Sequence, residues 1–206
     1  MSAERDGAPA VDQEDLARAN LYGLVSRLFY APADPNLLAE ISRSGQAAAG
    51  QESDTGLVTT WRRLQEASQH AYPAVVRQEY DGLFVGVGKA EVTPYLSAYA
   101  GSAAPDRYLV RLREQLSAWG LARRESAFEV EDHISGIADV MRWLIQQRYS
   151  LAEQRQFFES FAYPGAAPFF VAVQNAASAN FYRPVAGFSS AFFEVEKAAF
   201  EMDDST

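Results

Sequence analysis

The sequence predicts an all-α fold, a compact bundle of roughly eight to ten helices with room for two lobes. Three observations carry this. Apolar residues recur at spacings of three and four in one segment after another. Proline and glycine break the chain between those segments. No stretch alternates long enough for paired strands, and the nearest candidate, VGVGKAEVT, is too rich in glycine. No repeat of fixed period is present, so a solenoid is not expected.

Residues 1–12 read as a disordered tail, 13–202 as one helical domain and 203–206 as a second tail. The first helix starts at Gln13 and carries Leu21, Leu24, Val25, Leu28 and Phe29; Pro32 and Pro35 end it. A short second helix holds Leu37, Leu38 and Ile41, and the small polar residues 44–56 form a loop. Leu57, Trp61 and Leu64 mark a third helix, interrupted at Pro73. The stretch from Glu79 to Tyr99 begins helical, with Tyr80, Leu83, Phe84 and Val87 on one face. It then breaks at Gly86 and Gly88 into an aromatic loop that must dock on something.

Residues 100–105 are the best lobe boundary. Asp106 is a candidate cap for a helix carrying Leu109, Leu112, Leu116 and Trp119, with Gly120 as its stop. The most regular helix runs from Asp132 to Tyr149 through Ile134, Ile137, Ala138, Met141 and Ile145. Phe157, Phe158 and Phe161 follow, then a break at Pro164–Gly165. Two last helices carry Phe169 to Tyr182 and Phe188 to Phe200.

Composition narrows the function. The chain of 206 residues is 48% apolar and 22% charged, with a formal charge of −9 and a sequence pI near 4.8. Nucleic acid is a poor partner for that charge, because phosphates need clustered Lys and Arg. There are no cysteines, which removes disulfides, cysteine-bound clusters and thiol nucleophiles. With two histidines, His70 and His133, a histidine-rich metal site within one chain is excluded. Neither a secretory leader nor a run of about 18 apolar residues occurs, so the expected location is the cytoplasm, without membrane insertion. Phosphate loops, dinucleotide fingerprints and hydrolase elbows are absent. The expectation is a binding protein, neither an enzyme nor a cofactor carrier.

Asp132–His133 is the pair that most resembles chemistry. Adjacent helical residues do not face each other, so the plain reading makes Asp132 an N-cap and His133 part of the first turn. The plain reading of Glu79–Tyr80 is a solvated carboxylate beside a core ring. The phenylalanines of the last helices read as core.

Three motifs taken together resemble the TorD/DmsD/NarJ family of chaperones that mature molybdoenzymes. The first is Glu79-Tyr80-x-x-Leu83-Phe84-Val85-Gly86, followed by Thr93-Pro94-Tyr95-x-Ser97-x-Tyr99. The second is Glu129-x-x-Asp132-His133-Ile134. The third is Phe157-Phe158-x-x-Phe161-x-x-Pro164, with Phe181-Tyr182 downstream. The chain departs from the family pattern at Gly82, Val87, Val130 and Gly165.

The resemblance implies a helical, two-lobed chaperone, monomeric or a domain-swapped dimer. It would bind the twin-arginine leader or N-terminal segment of a molybdopterin-containing oxidoreductase subunit of the dimethyl-sulfoxide-reductase type. It would hold that subunit for cofactor insertion before export or assembly. The alternative is a helical interaction module with a different peptide client. The binding residues implied are Glu79, Tyr80, Phe84, Pro94, Tyr95, Ser97, Tyr99, Asp132 and His133. Carboxylates at 79, 129 and 132 suit guanidinium groups, and the aromatics suit an apolar segment. The Glu79–Tyr99 stretch and Asp132–His133 should then meet around one cleft.

Overall fold

The computed structural model describes residues 12–44, 56–86, 90–101, 105–121 and 131–203. The sequence readings for nearly all of the two tails, residues 45–55 of the 44–56 loop, Val87, Gly88, Glu129, Val130 and half of the 100–105 boundary fall outside these residues.

Nine α-helices are present among the described residues: α1 Gln13–Tyr30, α2 Pro35–Arg43, α3 Gly56–Gln69, α4 Pro73–Tyr80, α5 Pro105–Ala118, α6 Ile134–Gln146, α7 Leu151–Phe157, α8 Tyr163–Asn175 and α9 Tyr182–Asp203. The all-α expectation holds. α1 lies along α6, α9 lies along α8 and α3, and α2 covers α3. The core between them is aromatic: Tyr22, Phe29, Phe158, Phe169, Phe170, Tyr182, Phe188, Phe192 and Phe193 are all buried. Their rings meet edge to face where geometry allows, as Tyr22 does on Phe192 at 4.8 Å between centroids.

A partly buried ion pair ties the first helix to the last. Arg18 donates through Nε and Nη2 to the two oxygens of Glu196 at 2.8 and 2.9 Å, and the Tyr22 hydroxyl donates to the same carboxylate at 3.0 Å. The fork geometry fits the planar guanidinium.

Several boundaries differ from the sequence reading. The interruption expected at Pro73 is present, between Gln69 and Pro73, and Pro73 itself is the first residue of α4, where the helix makes no use of the N–H that proline lacks. Pro105 takes the first position of α5, so Asp106 sits in the first turn and is not its cap. α6 begins at Ile134, and its N-cap is His133 where Asp132 was expected. Pro164–Gly165 is not a break. A five-residue π-turn, Phe158–Ala162, joins α7 to α8, and the Tyr163 N–H reaches back to the Phe158 carbonyl. That wider turn absorbs Pro164, which has no N–H to contribute. Gly120 does stop α5, at φ 72°.

Candidate functional site

α4 runs directly into a π-turn, Asp81–Val85, which closes with the Gly86 N–H on the Asp81 carbonyl at 2.7 Å. Gly86 at φ 60° and ψ 140° then ends the helix in a conformation that side chains resist. Glu79, Tyr80 and Phe84 therefore lie on a single helical segment. The Tyr80 hydroxyl donates to the carbonyls of Phe29 and Tyr30, both at 3.0 Å, at the end of α1. The Tyr80 and Phe84 rings pack on Tyr182 at 5.7 and 5.2 Å.

Glu79 is not solvated. Its side chain is buried and accepts three backbone N–H groups, from Asn180 and Tyr182 at 2.8 Å each on Oε1 and from Phe181 at 3.0 Å on Oε2. These are orphan donors at the start of α9, and the negative charge also suits the positive end of that helix. Three of the four lone-pair positions of the carboxylate are thus occupied, which removes the two-pronged arginine contact suggested by the sequence.

The loop after Gly86 returns through the Val92 N–H, which donates to the Leu83 carbonyl at 2.9 Å. It then meets the start of α6. The Leu96 N–H donates to the Asp132 carbonyl at 2.9 Å, and the Ile134 N–H donates to the Pro94 carbonyl at 3.0 Å. These two bonds pair Tyr95 with His133 in antiparallel register. The Tyr95 ring stands edge to face on the His133 imidazole at 5.5 Å. The two motifs therefore do come together.

Asp132 is buried, and its Oδ2 accepts the Ser97 N–H at 3.1 Å, which holds the short 3₁₀ turn Leu96–Ala98. Burial pushes the phenol of Tyr108 above its ordinary range, and the charge of Asp132 adds to that. His133 Nδ1 accepts from the Ser135 N–H at 3.2 Å and faces the Ser135 hydroxyl at 2.6 Å. An accepting Nδ1 leaves the ring proton on Nε2. Both residues are thus frame-builders, and neither presents a free charge. Tyr95, Ser97 and Tyr99 remain half-buried at the junction, while Pro94 is buried. The Tyr99 hydroxyl donates to the Thr93 carbonyl at 3.0 Å, and its ring rests on Phe169 at 5.8 Å.

One contributor had no sequence signal of its own. A Cβ built on Gly165 would lie 2.6 Å from the Leu96 Cβ and 2.7 Å from the Leu96 carbonyl oxygen. Only glycine lets α8 come this close to the loop. Gly165 was read from sequence as a departure; it is where the loop docks. Gly82, another departure, has nothing within 4 Å of a built Cβ.

A cavity of about 430 Å³, lined by Leu24, Ile41, Trp61 and Arg142 among others, lies elsewhere, between α1, α2, α3 and α6. Among the described residues no group of three or more His, Asp or Glu could hold a metal ion, and no helix is long and apolar enough to cross a membrane.

Residues 51–170 match the family model described as the nitrate reductase delta subunit. The chain is 32% identical over 112 residues to an uncharacterized protein of Haemophilus influenzae. That match spans 54% of each, so the chain spans about half the length of this curated relative. The crystal structure of a candidate redox enzyme maturation protein from Archaeoglobus fulgidus superposes at a TM-score of 0.53 and 16% identity, covering 93% of this chain and 99% of that one. At that identity the likeness is one of fold.

Proposed function

The chain belongs to the nitrate reductase delta subunit family, the TorD/DmsD/NarJ group of redox-enzyme maturation chaperones, and from that premise we propose that it captures the N-terminal segment or twin-arginine leader of a molybdopterin-containing catalytic subunit. It holds that subunit until its cofactor is inserted, ahead of export or assembly. The observation that carries this reading is the pairing of Tyr95 with His133, which joins the two motifs behind one half-exposed face.

The face combines what a leader needs. Tyr95 and Tyr99 offer aromatic surface to an apolar run and to guanidinium planes. Ser97 adds a hydroxyl at the same turn. Asp132 and His133 act from behind by fixing the turn, while Glu79, Tyr80 and Phe84 anchor the helix from which the loop springs. The formal charge of −9 favours encounter with a basic leader.

The test is direct titration of N-terminal peptides from the molybdopterin subunits of the host, each against a scrambled control. One native peptide binds at micromolar affinity or better, and its affinity falls with added salt. Should every native peptide bind no better than its scramble, the reading is wrong.

A further inference from the structure

The aromatic loop is tied to the rest of the chain by one more side chain, that of Glu91, which belongs to none of the three motifs. Val92 beside it is buried, while Glu91 itself stands exposed. Its Oε1 accepts the Ala177 N–H at 2.6 Å, and its Oε2 accepts the Ser178 hydroxyl. The Ser178 bond holds the Glu91 carboxyl below its ordinary range, so the group is charged at neutral pH. Ala177 and Ser178 are the central residues of the turn that follows α8, closed by the Ala179 N–H on the Ala176 carbonyl at 3.3 Å. Both are exposed, so water would satisfy them without Glu91. The bonds therefore matter less for the turn than for where they put the loop.

We propose that Glu91 is a positioning residue for client capture: its grip on the Ala177–Ser178 turn holds the loop along α8, so that Tyr95 and Tyr99 face the incoming segment. The inference rests on the peptide-capturing reading above and concerns a residue that does not itself touch the client.

The loop is pinned near both ends of α8. Near its start, Leu96 fills the space left by Gly165. Just past its end, Glu91 holds the turn. α8 has 13 residues and is therefore about 20 Å long. The chain from Glu91 to Leu96 reaches at most about 18 Å when fully extended. With its ends held near opposite ends of the helix, that stretch has little slack and must run along α8. Thr93, Pro94 and Tyr95 lie inside it. The Tyr99 hydroxyl returns to the Thr93 carbonyl, so a shift at Thr93 reaches both tyrosines.

Glu79 grips the same α8–α9 connection a little further on, at Asn180, Phe181 and Tyr182. The two carboxylates differ in consequence. Glu79 is buried, and losing it orphans donors that water cannot reach. Glu91 is exposed, and losing it leaves the Leu96 and Ile134 bonds to the start of α6 intact. The fold survives, and the upstream half of the loop slackens.

The experiment titrates the full chain and its variants with an N-terminal peptide of a host molybdopterin subunit that binds the parent chain above its scramble. Glu91→Ala weakens binding about three- to tenfold, with an unfolding midpoint near that of the parent. Glu91→Gln, whose amide oxygen still accepts the Ala177 N–H, binds close to the parent, which separates placement from lost charge. Ser178→Asp sets a second carboxylate against Glu91 and weakens binding, although added negative charge by itself favours a basic peptide. Adding Glu91→Gln to Ser178→Asp restores binding, because the amide donates to the new carboxylate. In the free chain, the amide signals of Leu96 and Tyr99 move in Glu91→Ala and return in Glu91→Gln. If Glu91→Ala binds as tightly as the parent, if Glu91→Gln loses as much as Glu91→Ala, or if the paired substitution is no better than Ser178→Asp alone, Glu91 does not position the loop and the chaperone reading stands. If no native peptide binds the parent chain above its scramble, the chaperone reading falls and this inference falls with it.

Discussion

The Glu79–Phe84 segment and the Tyr95–His133 junction make an instructive pair. Both carry motif residues, and both contain an acid beside an aromatic ring. In the first, nearly every group is turned inward: Glu79 caps α9, Tyr80 bonds to the end of α1, and Phe84 packs on Tyr182. In the second, Asp132 and His133 are turned inward but hold Tyr95, Ser97 and Tyr99 at the surface. A motif can therefore mark either a scaffold or a face. The difference lies in how many of its polar groups are already satisfied by the backbone, because a satisfied buried group has little left to offer a ligand.

Substitutions should separate the two regions. The largest effect is expected from Glu79→Ala, which orphans three backbone donors at α9 and should cost about 3 kcal/mol or more in urea unfolding. An unchanged unfolding midpoint would show that the cap is dispensable and break the contrast. Next comes Gly165→Ala, whose Cβ would collide with Leu96. The loop must shift, at a cost of about 1–3 kcal/mol. Peptide affinity should fall with it, and titration on the folded variant reads both.

Tyr80→Phe removes one hydroxyl and its two carbonyl contacts. It should cost about 1 kcal/mol of stability and leave peptide affinity close to that of the parent. Tyr95→Ala is expected to have the smallest effect on stability, within about 1 kcal/mol, because the ring is half exposed and the backbone bonds to the start of α6 remain. Its peptide affinity should nonetheless drop about tenfold or more. If Tyr95→Ala unfolds the chain while binding per folded molecule is kept, the junction is scaffold too and the contrast disappears.

Much of this protein was readable before any coordinates. The spacing of Leu28 and Phe29, of Leu37, Leu38 and Ile41, and of Ile137, Met141 and Ile145 placed three helices, because a helix returns each side chain to one face every three or four residues. Pro32 and Gly120 placed two ends for equally local reasons, α1 stopping at Tyr30 just before Pro32, whereas Pro35, expected to end α1 as well, instead opens α2. The π-turn at Phe158–Ala162 was not legible, since a single wider turn leaves the apolar spacing around it nearly intact. The helix cap on α6 was displaced by one residue, because Asp132 found a better use in bonding the Ser97 N–H.

What the chain determined by itself was therefore local: helical segments, their apolar faces, and the presence of two motifs suited to recognition. Tertiary structure alone decided that Glu79 reaches across to cap α9, that Gly165 admits the loop, and that Tyr95 pairs with His133. Each of these joins residues far apart in sequence. Local spacing carries no record of such a contact, because the partner is selected by packing, when buried polar groups must find donors and acceptors within reach.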